Sequence, residues 1–438
     1  MADPASKNGW AQQRGLSGQL KGAVLAAGLG SRMEPLTTRH LPKPVFPLGG
    51  KVPMAELWVQ RFVASGITDL SMNLCVLKEA IKRHFADGSR FGADIAYVEE
   101  ETPSGTFGGV CKQVLGSAAK RVSAGEAAVD LPPFQGSTLI VPSGDIVTNF
   151  GSDLLAEMVD IHRRAGAAFS MVLVPVPWER RKDFGTVVLD APESRSGKIS
   201  KSGRITEFLE KDPDSPSNLN NASIYMIERE LLEALDPLRT ESAVGVSEPF
   251  YDFGKHVFPA MLGRLPYVSL PKDYLLWGVQ YDGAWFDVGQ KRDYLRVNEQ
   301  VLDGKIDIEL PFERQPWGFL GADTEIDPAR VEIVPPVVIG NRCVVEAGAT
   351  LGPYAVIGDG WTIEKGARIR NSVLWEEVHE GGATAASERR VGAGVSIAES
   401  IVVDGPVERD VTEKTVHVAA DGRLEIHPLD AVPQGPRA

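Results

Sequence analysis

From Ile339 onward a long or branched aliphatic residue returns at every sixth position: Ile339, Val345, Leu351, Ile357, Ile363 and Ile369. Four places after most of them stands a small residue, Cys343, Ala349, Ala355 or Ala367, and glycines come directly after at Gly340, Gly352 and Gly358. A period of six is that of hexapeptide repeats: each repeat makes one flat face, and three faces make a coil of about 18 residues. The aliphatic position points inward and stacks on its copy in the next coil. The period therefore predicts a left-handed parallel β-helix over 333–405, and six hits in phase argue against an ordinary sandwich. The stretch EEVHEGGATAASERR interrupts the period and reads as a protruding loop; the pattern resumes at Val391, Ile397 and Val403.

The chain ahead of these repeats has a different grammar. KGAVLAA reads as a buried strand, PMAELWVQRFVASG as a helix with a glycine stop, LSMNLCV as a strand and KEAIKRHFADG as a helix. ADIAYVE, STLIVPSGD and AAFSMVLVPV continue as strands, separated by helical stretches. Such alternation predicts a Rossmann-like α/β fold, a mostly parallel sheet covered on both faces. Ligands of such sheets bind at the carboxyl ends of the strands, which selects the loops after Ala27, after Pro142 and around Asp287. The expected organisation is a flexible extension over 1–20, an α/β domain over 21–308, a Pro-rich and acidic linker over 309–332, the β-helix over 333–405 and a tail over 406–438.

A net charge of −13 over 438 residues disfavours a nucleic-acid surface, although a small phosphate ligand needs only a local basic cluster. The longest apolar runs are strand-sized, so no membrane span is expected. The first residues contain no apolar signal core, and a cytoplasmic enzyme is the expectation. Cys75, Cys111 and Cys343 are widely spaced and form no CxxC or Cys/His ligand pattern, which supports neither a disulfide framework nor a structural zinc.

The chemistry gathers in GAVLAAGLGSRMEPLTTRHLPKPVFPLGG, Gly22 to Gly50. A glycine turn after a first strand offers backbone N–H groups to phosphate oxygens. A dinucleotide fingerprint would have a third glycine where Met33 stands, and a P-loop would need GxxxxGK[ST], which is absent. Instead the turn leads into Ser31-Arg32, then Pro35-Leu36-Thr37, then Pro42-Lys43-Pro44. This run of G-x-G-[ST]-R-x-x-P-L-T and P-K-P resembles the signature of the sugar-1-phosphate nucleotidyltransferases.

The resemblance implies transfer of a nucleotidyl group from an NTP to a hexose 1-phosphate, with release of pyrophosphate. It implies Arg32 and Lys43 as catalytic residues, and Leu25, Ala27, Gly28, Gly30, Ser31, Gly105 and Thr106 as nucleotide contacts. Arg32 has the rigid fork that grips phosphate oxygens in pairs. Asp145, at the end of LIVPSGD, and Asp287, in GAWFDVGQ, match the family's two magnesium ligands; Mg²⁺ is the implied cofactor. FGTVVLD, FLEKD and NNASIYMI resemble the family's sugar-binding elements, implying Gly185, Glu210, Lys211 and Asn221 as sugar-phosphate contacts. Asp212 stands where the family has proline, and Ser223 where it has glycine. Asp252, in EPFYDFGKHVFP, reads as structural or peripheral. PSGTFGG resembles the base-cradling loop, and the neighbouring Glu99, Glu100 and Glu101 are candidate acceptors for a guanine edge.

GTP with mannose 1-phosphate is the first expectation; glucose 1-phosphate with dTTP, UTP or ATP is the alternative, GGK at Gly49 to Lys51 resembling adenylyltransferases. A non-catalytic paralogue would lose the arginine or the metal carboxylates, whereas this chain keeps Arg32, Lys43, Asp145 and Asp287. A second, acyltransferase activity would want a longer helix with a site histidine between coils. A homo-oligomer is expected.

Overall fold

The computed structural model describes residues 9–16, 18–116, 120–121, 129–130, 133–236, 252–265, 270, 273–375, 389–419 and 423–430. The chain forms two compact units. One comprises Met1–Leu29 and Trp58–Trp285, the other Gly30–Leu57 and Phe286–Ala438.

The first unit is built on an eleven-stranded sheet. Its parallel part shows the expected alternation: Leu20–Leu25 lies between Thr138–Pro142 and Asp69–Leu74, and Asp69–Leu74 pairs with Asp94–Glu99. These strands are buried almost throughout, because each face is covered. The other part departs from a mostly parallel sheet. Gly185–Ser194 and Ile199–Glu210 pair antiparallel, since the few residues between them leave no room for a crossover helix. Leu219–Glu228 pairs antiparallel with both Thr138–Pro142 and Phe169–Pro175, so the sheet is mixed.

The extension expected to be flexible is packed where it is described. Helix Trp10–Gln13 buries Ala11, and Trp10 Nε1 donates to the Ser152 carbonyl at 3.1 Å.

The second unit contains a parallel solenoid with three faces. Val337 pairs with Ala355, Val344 with Thr362 and Thr350 with Arg368, each one coil of about 18 residues along the chain. Ile339, Val345, Leu351, Ile357, Ile363 and Ile369 are buried in one apolar stack, joined by Val391 and Ile397. The register then shortens by one. Val402, rather than Val403, joins the stack, because Val373–Leu374 pairs with Ile401–Val402.

The solenoid is longer than its hexapeptide pattern. Residues 309–332, expected as a linker, form a first coil: Gly318–Leu320 pairs with Val337–Ile339, Glu325–Ile326 with Val344–Val345, and Glu332–Ile333 with Thr350–Leu351. Leu320, Ile326 and Ile333 pack on the inner stack; the Pro and acidic residues around them hide the pattern. The expected tail also adds strands, Val411–Thr412 and Lys414–Val418, and Leu424–Pro428 folds back antiparallel. Most of the interrupting stretch, 376–388, lies outside the described residues.

The expected 21–308 domain is divided. Residues 30–57 and 286–308 belong with the solenoid. Tyr294, on helix Lys291–Leu302, donates to the Pro47 carbonyl at 2.6 Å, and Trp375 Nε1 donates to the Tyr294 hydroxyl at 3.0 Å. Phe46 packs edge-on against both rings. Gly49 N donates to Asn298 Oδ1 at 2.8 Å, and Lys51 pairs with Asp359 at 3.0 Å. Among the described residues no helix is long and apolar enough to cross a membrane.

Candidate active site

In the sheet unit, polar groups collect at the carboxyl ends of the parallel strands. The chain leaves Leu20–Leu25 through Ala27 and Gly28. Gly144 N donates to the Leu25 carbonyl at 2.9 Å, which sets Asp145 beside this exit. Asp145 is half-buried and accepts from Ser143 Oγ at 2.6 Å. Among the described residues, none beyond its chain neighbours lies within 4 Å of the point where a Cβ on Gly28 would stand, so the backbone there has room for a ligand.

Asn73, at the end of the next strand, ties two of these loops together. Its Oδ1 accepts from Ala26 N at 2.8 Å, and its Nδ2 donates to Glu100 Oε1 at 2.7 Å. The Glu100 carboxylate is fully buried and also accepts from Ser104 N at 2.8 Å, just ahead of Gly105. Gly109 is required by this contact, because a Cβ would come within 2.5 Å of Asn73 Nδ2. Glu100 is therefore a strut under the start of helix Gly105–Val114, not an exposed acceptor for a base edge. Glu99 pairs with Lys78 and Lys82. Thr106 Oγ1 accepts from Phe253 N at 3.0 Å, and Asp252 caps the turn Phe253–Val257 by accepting from Gly254 N at 2.8 Å, a structural role.

The expected sugar contacts also lie in this unit. Gly185 pairs in register with Glu210, and a Cβ on Gly185 would meet the Phe208 ring at 2.6 Å and the Glu210 carboxylate at 2.9 Å. Burial pushes the Glu210 carboxyl above the usual range; Asp252 adds to this, against the pull of Lys211 and Lys255. Lys211 turns the chain with φ +52°. Asn221 donates through Nδ2 to the Tyr225 hydroxyl at 2.9 Å, and its Oδ1 accepts from Ser223 N at 3.0 Å. Burial pushes that tyrosine up to about 12. Ser223 has φ +56°, which explains why the family pattern has glycine there.

The remaining expected residues sit in the solenoid unit. Gly30 adopts φ +64° as the chain enters the short turn Ser31–Met33, and its carbonyl accepts from Thr37 Oγ1 at 2.9 Å. Ser31 and Arg32 are exposed, while Lys43 is buried between its two prolines. A Cβ on Gly289 would lie 3.2 Å from both terminal nitrogens of Arg32. The guanidinium thus lies over the backbone two residues past Asp287. The fold brings Arg32 to the Asp287–Gly289 stretch, although the two are far apart in sequence.

Asp145 and Asp287 are both half-buried carboxylates, one in each unit. Partly exposed carboxylate oxygens that leave room for water and phosphate are the donor set a hard divalent cation takes. Each carboxylate, taken in its own unit, has the donor chemistry that such an ion takes.

Residues 21–304 match the family model described as nucleotidyl transferase. The chain belongs to the nucleotidyl transferase family. Among curated relatives, a UTP–glucose-1-phosphate uridylyltransferase of Synechocystis sp. is 28% identical over 87% of each chain. A mannose-1-phosphate guanylyltransferase of Mycobacterium tuberculosis is 30% identical over 80% of this chain and 83% of its own. A glucose-1-phosphate adenylyltransferase of Thermotoga neapolitana is 25% identical over 81% of this chain. Nucleotidyl transfer leaves the protein little covalent work and much positioning, so the supports count. Sequence reasoning missed Asn73. Its one available signal is a lone amide at the end of an apolar strand, LSMNL.

Proposed function

We propose that this nucleotidyltransferase transfers a nucleotidyl group from an NTP to a hexose 1-phosphate, giving an NDP-sugar and pyrophosphate. The observation that carries the reading is the Arg32 guanidinium laid over Gly289, beside Asp287. A phosphate-binding fork held next to a metal-ligand candidate suits attack of one phosphate on another. Arg32 orients the triphosphate, and buried Lys43 adds positive charge at the reacting phosphate. Gly28, with open space before it, lets the backbone approach phosphate oxygens. Leu25, Ala27, Gly30, Ser31, Gly105 and Thr106 complete the nucleotide contacts. Glu210 and Asn221 take sugar hydroxyls beside Gly185, and Lys211 meets the sugar phosphate. Asp145 and Asp287 would hold Mg²⁺, which supplies charge neutralisation on the phosphates.

GTP with mannose 1-phosphate is the first choice, supported by the guanylyltransferase relative at 30% identity. Glucose 1-phosphate with UTP is the second, supported by the uridylyltransferase relative that spans 87% of the chain. The solenoid is read as left-handed, as its period implies, and as a surface for assembling copies of the chain. Pyrophosphate release, measured for GTP, UTP, ATP and dTTP against mannose and glucose 1-phosphates, tests the reading. The highest kcat/KM is expected for GTP with mannose 1-phosphate. A higher value for UTP with glucose 1-phosphate reverses the order, and no release from any pair overturns the transfer itself.

A further inference from the structure

A cluster unrelated to phosphate chemistry lies at the carboxyl end of the solenoid. The closing hairpin pairs His417 in register with Glu425, and His427 stands two residues past Glu425. Alternation along strands places all three side chains on one face. His417 Nε2 and His427 Nε2 are 3.3 Å apart, and Glu425 Oε2 lies 3.3 Å from the first and 3.4 Å from the second. Among the described residues this is the one group of three metal-type ligand atoms that converge within 4.8 Å of one another.

Those separations are long for hydrogen bonds between such groups, which fall at about 2.7–3.2 Å. They suit a shared ion. Bonds of about 2.0–2.2 Å in a tetrahedral arrangement set ligand atoms roughly 3.3 Å apart. We propose that His417, Glu425 and His427 form a binding site for a divalent transition-metal ion of the zinc type, with a fourth position open to water. Two imidazoles and one carboxylate are a recurring zinc set. His417 is fully buried, whereas Glu425 and His427 are part-exposed, so an ion has an inner anchor and a route in.

Arg39 is the competitor: its NH1 donates to the same Glu425 oxygen at 2.8 Å. Half its side chain is exposed, so it can turn to solvent when an ion takes that oxygen. The His40 ring packs edge-on against His417 at 5.0 Å and closes the buried side. Sequence spacing supports no structural zinc because these ligands meet through hairpin register, which no fixed motif encodes.

The test uses the full-length chain stripped with EDTA and titrated with Co²⁺ and Zn²⁺. Co²⁺ binding is read from visible absorption, and Zn²⁺ affinity from competition with a chromophoric chelator. A tetrahedral component of one cobalt ion per chain, read from its intense visible spectrum, is expected and should be unchanged in Asp145→Asn. His427→Ala, chosen because buried His417 is a riskier substitution, should weaken binding about 100-fold or more, and Glu425→Gln should also lose the cobalt spectrum. Arg39→Ala removes a competing charge and should tighten binding roughly tenfold. Equal zinc affinity in the wild type and in His427→Ala overturns the proposal, as does a weak, octahedral-type cobalt spectrum.

Discussion

The two units solve the same problem, holding polar groups at fixed points, in opposite ways. The sheet unit positions its loops with single, unrepeated contacts, such as Asn73 bridging Ala26 and Glu100. The solenoid unit gains rigidity from a repeated apolar stack and hangs unrepeated features on it. The segment carrying Arg32 and Lys43 is one of these, held through Pro47, Gly49 and Lys51 to Tyr294, Asn298 and Asp359. A periodic region is thus the mechanical base for part of the proposed chemistry, and damage to it should reach Arg32 and Lys43.

The largest effect should come from breaking the stack. Leu351 is fully buried between coils, and Leu351→Glu would bury an unpaired carboxylate at a cost of about 3–5 kcal/mol. The sheet has its own core and should stay folded. Two-step urea unfolding is expected, with activity lost in the first step. A single transition at the native midpoint would show that position 351 does not face the stack.

Next come the metal-ligand candidates. Asp145→Asn and Asp287→Asn should each lower kcat by about 10²-fold or more while the fold persists. Because one carboxylate stands in each unit, equal losses would sharpen the comparison by showing that both contribute. Near-native turnover of either variant at saturating magnesium removes that residue from the mechanism.

The same contrast explains what the sequence disclosed. A six-residue period exposes every inward position, so the solenoid core could be read residue by residue. The reading failed where the period changed, at the first coil around Ile326 and at Val402, where the register shortens by one. In the sheet unit, parallel strands were legible from alternation, but antiparallel pairing depends on short connections near Ser194 and Ile199. The strand-end rule pointed to the loops that carry Asp145 and Asp287, but the proposed roles of Arg32, Lys43, Asp145 and Asp287 rest on resemblance to a family. Asn73 and Glu100 were not, because a strut has no chemistry of its own and is visible only through its partners. His417 and His427 were missed for a related reason: strand register, not spacing, brings them together.

Asn73 gives a smaller effect and tests the sheet unit's reliance on single contacts. Asn73→Ala leaves the Ala26 N–H without its acceptor and a buried carboxylate without one of its donors. A loss of about 1–3 kcal/mol is expected from urea unfolding. The KM for NTP should rise more than kcat falls, because two segments proposed to contact the nucleotide lose their common support. An unchanged KM would show that the loops are held by other means.

The smallest expected effect concerns acid. Burial, with His417 and Arg39 nearby, pushes His40 down to about 4 from an ordinary 6.5. Its folded value is therefore below its unfolded one. Between pH 6.5 and 4 the unfolded chain binds more protons, so the contribution is complete above 6.5 and is lost as pH falls through this window. His417 shifts in the same direction, so His40 carries only part of the slope. In EDTA, moving from pH 7 to pH 5 should cost the wild type about 1 kcal/mol more than His40→Gln, less than full linkage because the ring is partly exposed. The added acid loss should appear in the solenoid's transition and leave that of the sheet unit in place. Equal losses in the two proteins would show that His40 titrates normally, and an added loss spread over a single shared transition would show that the two units do not unfold separately.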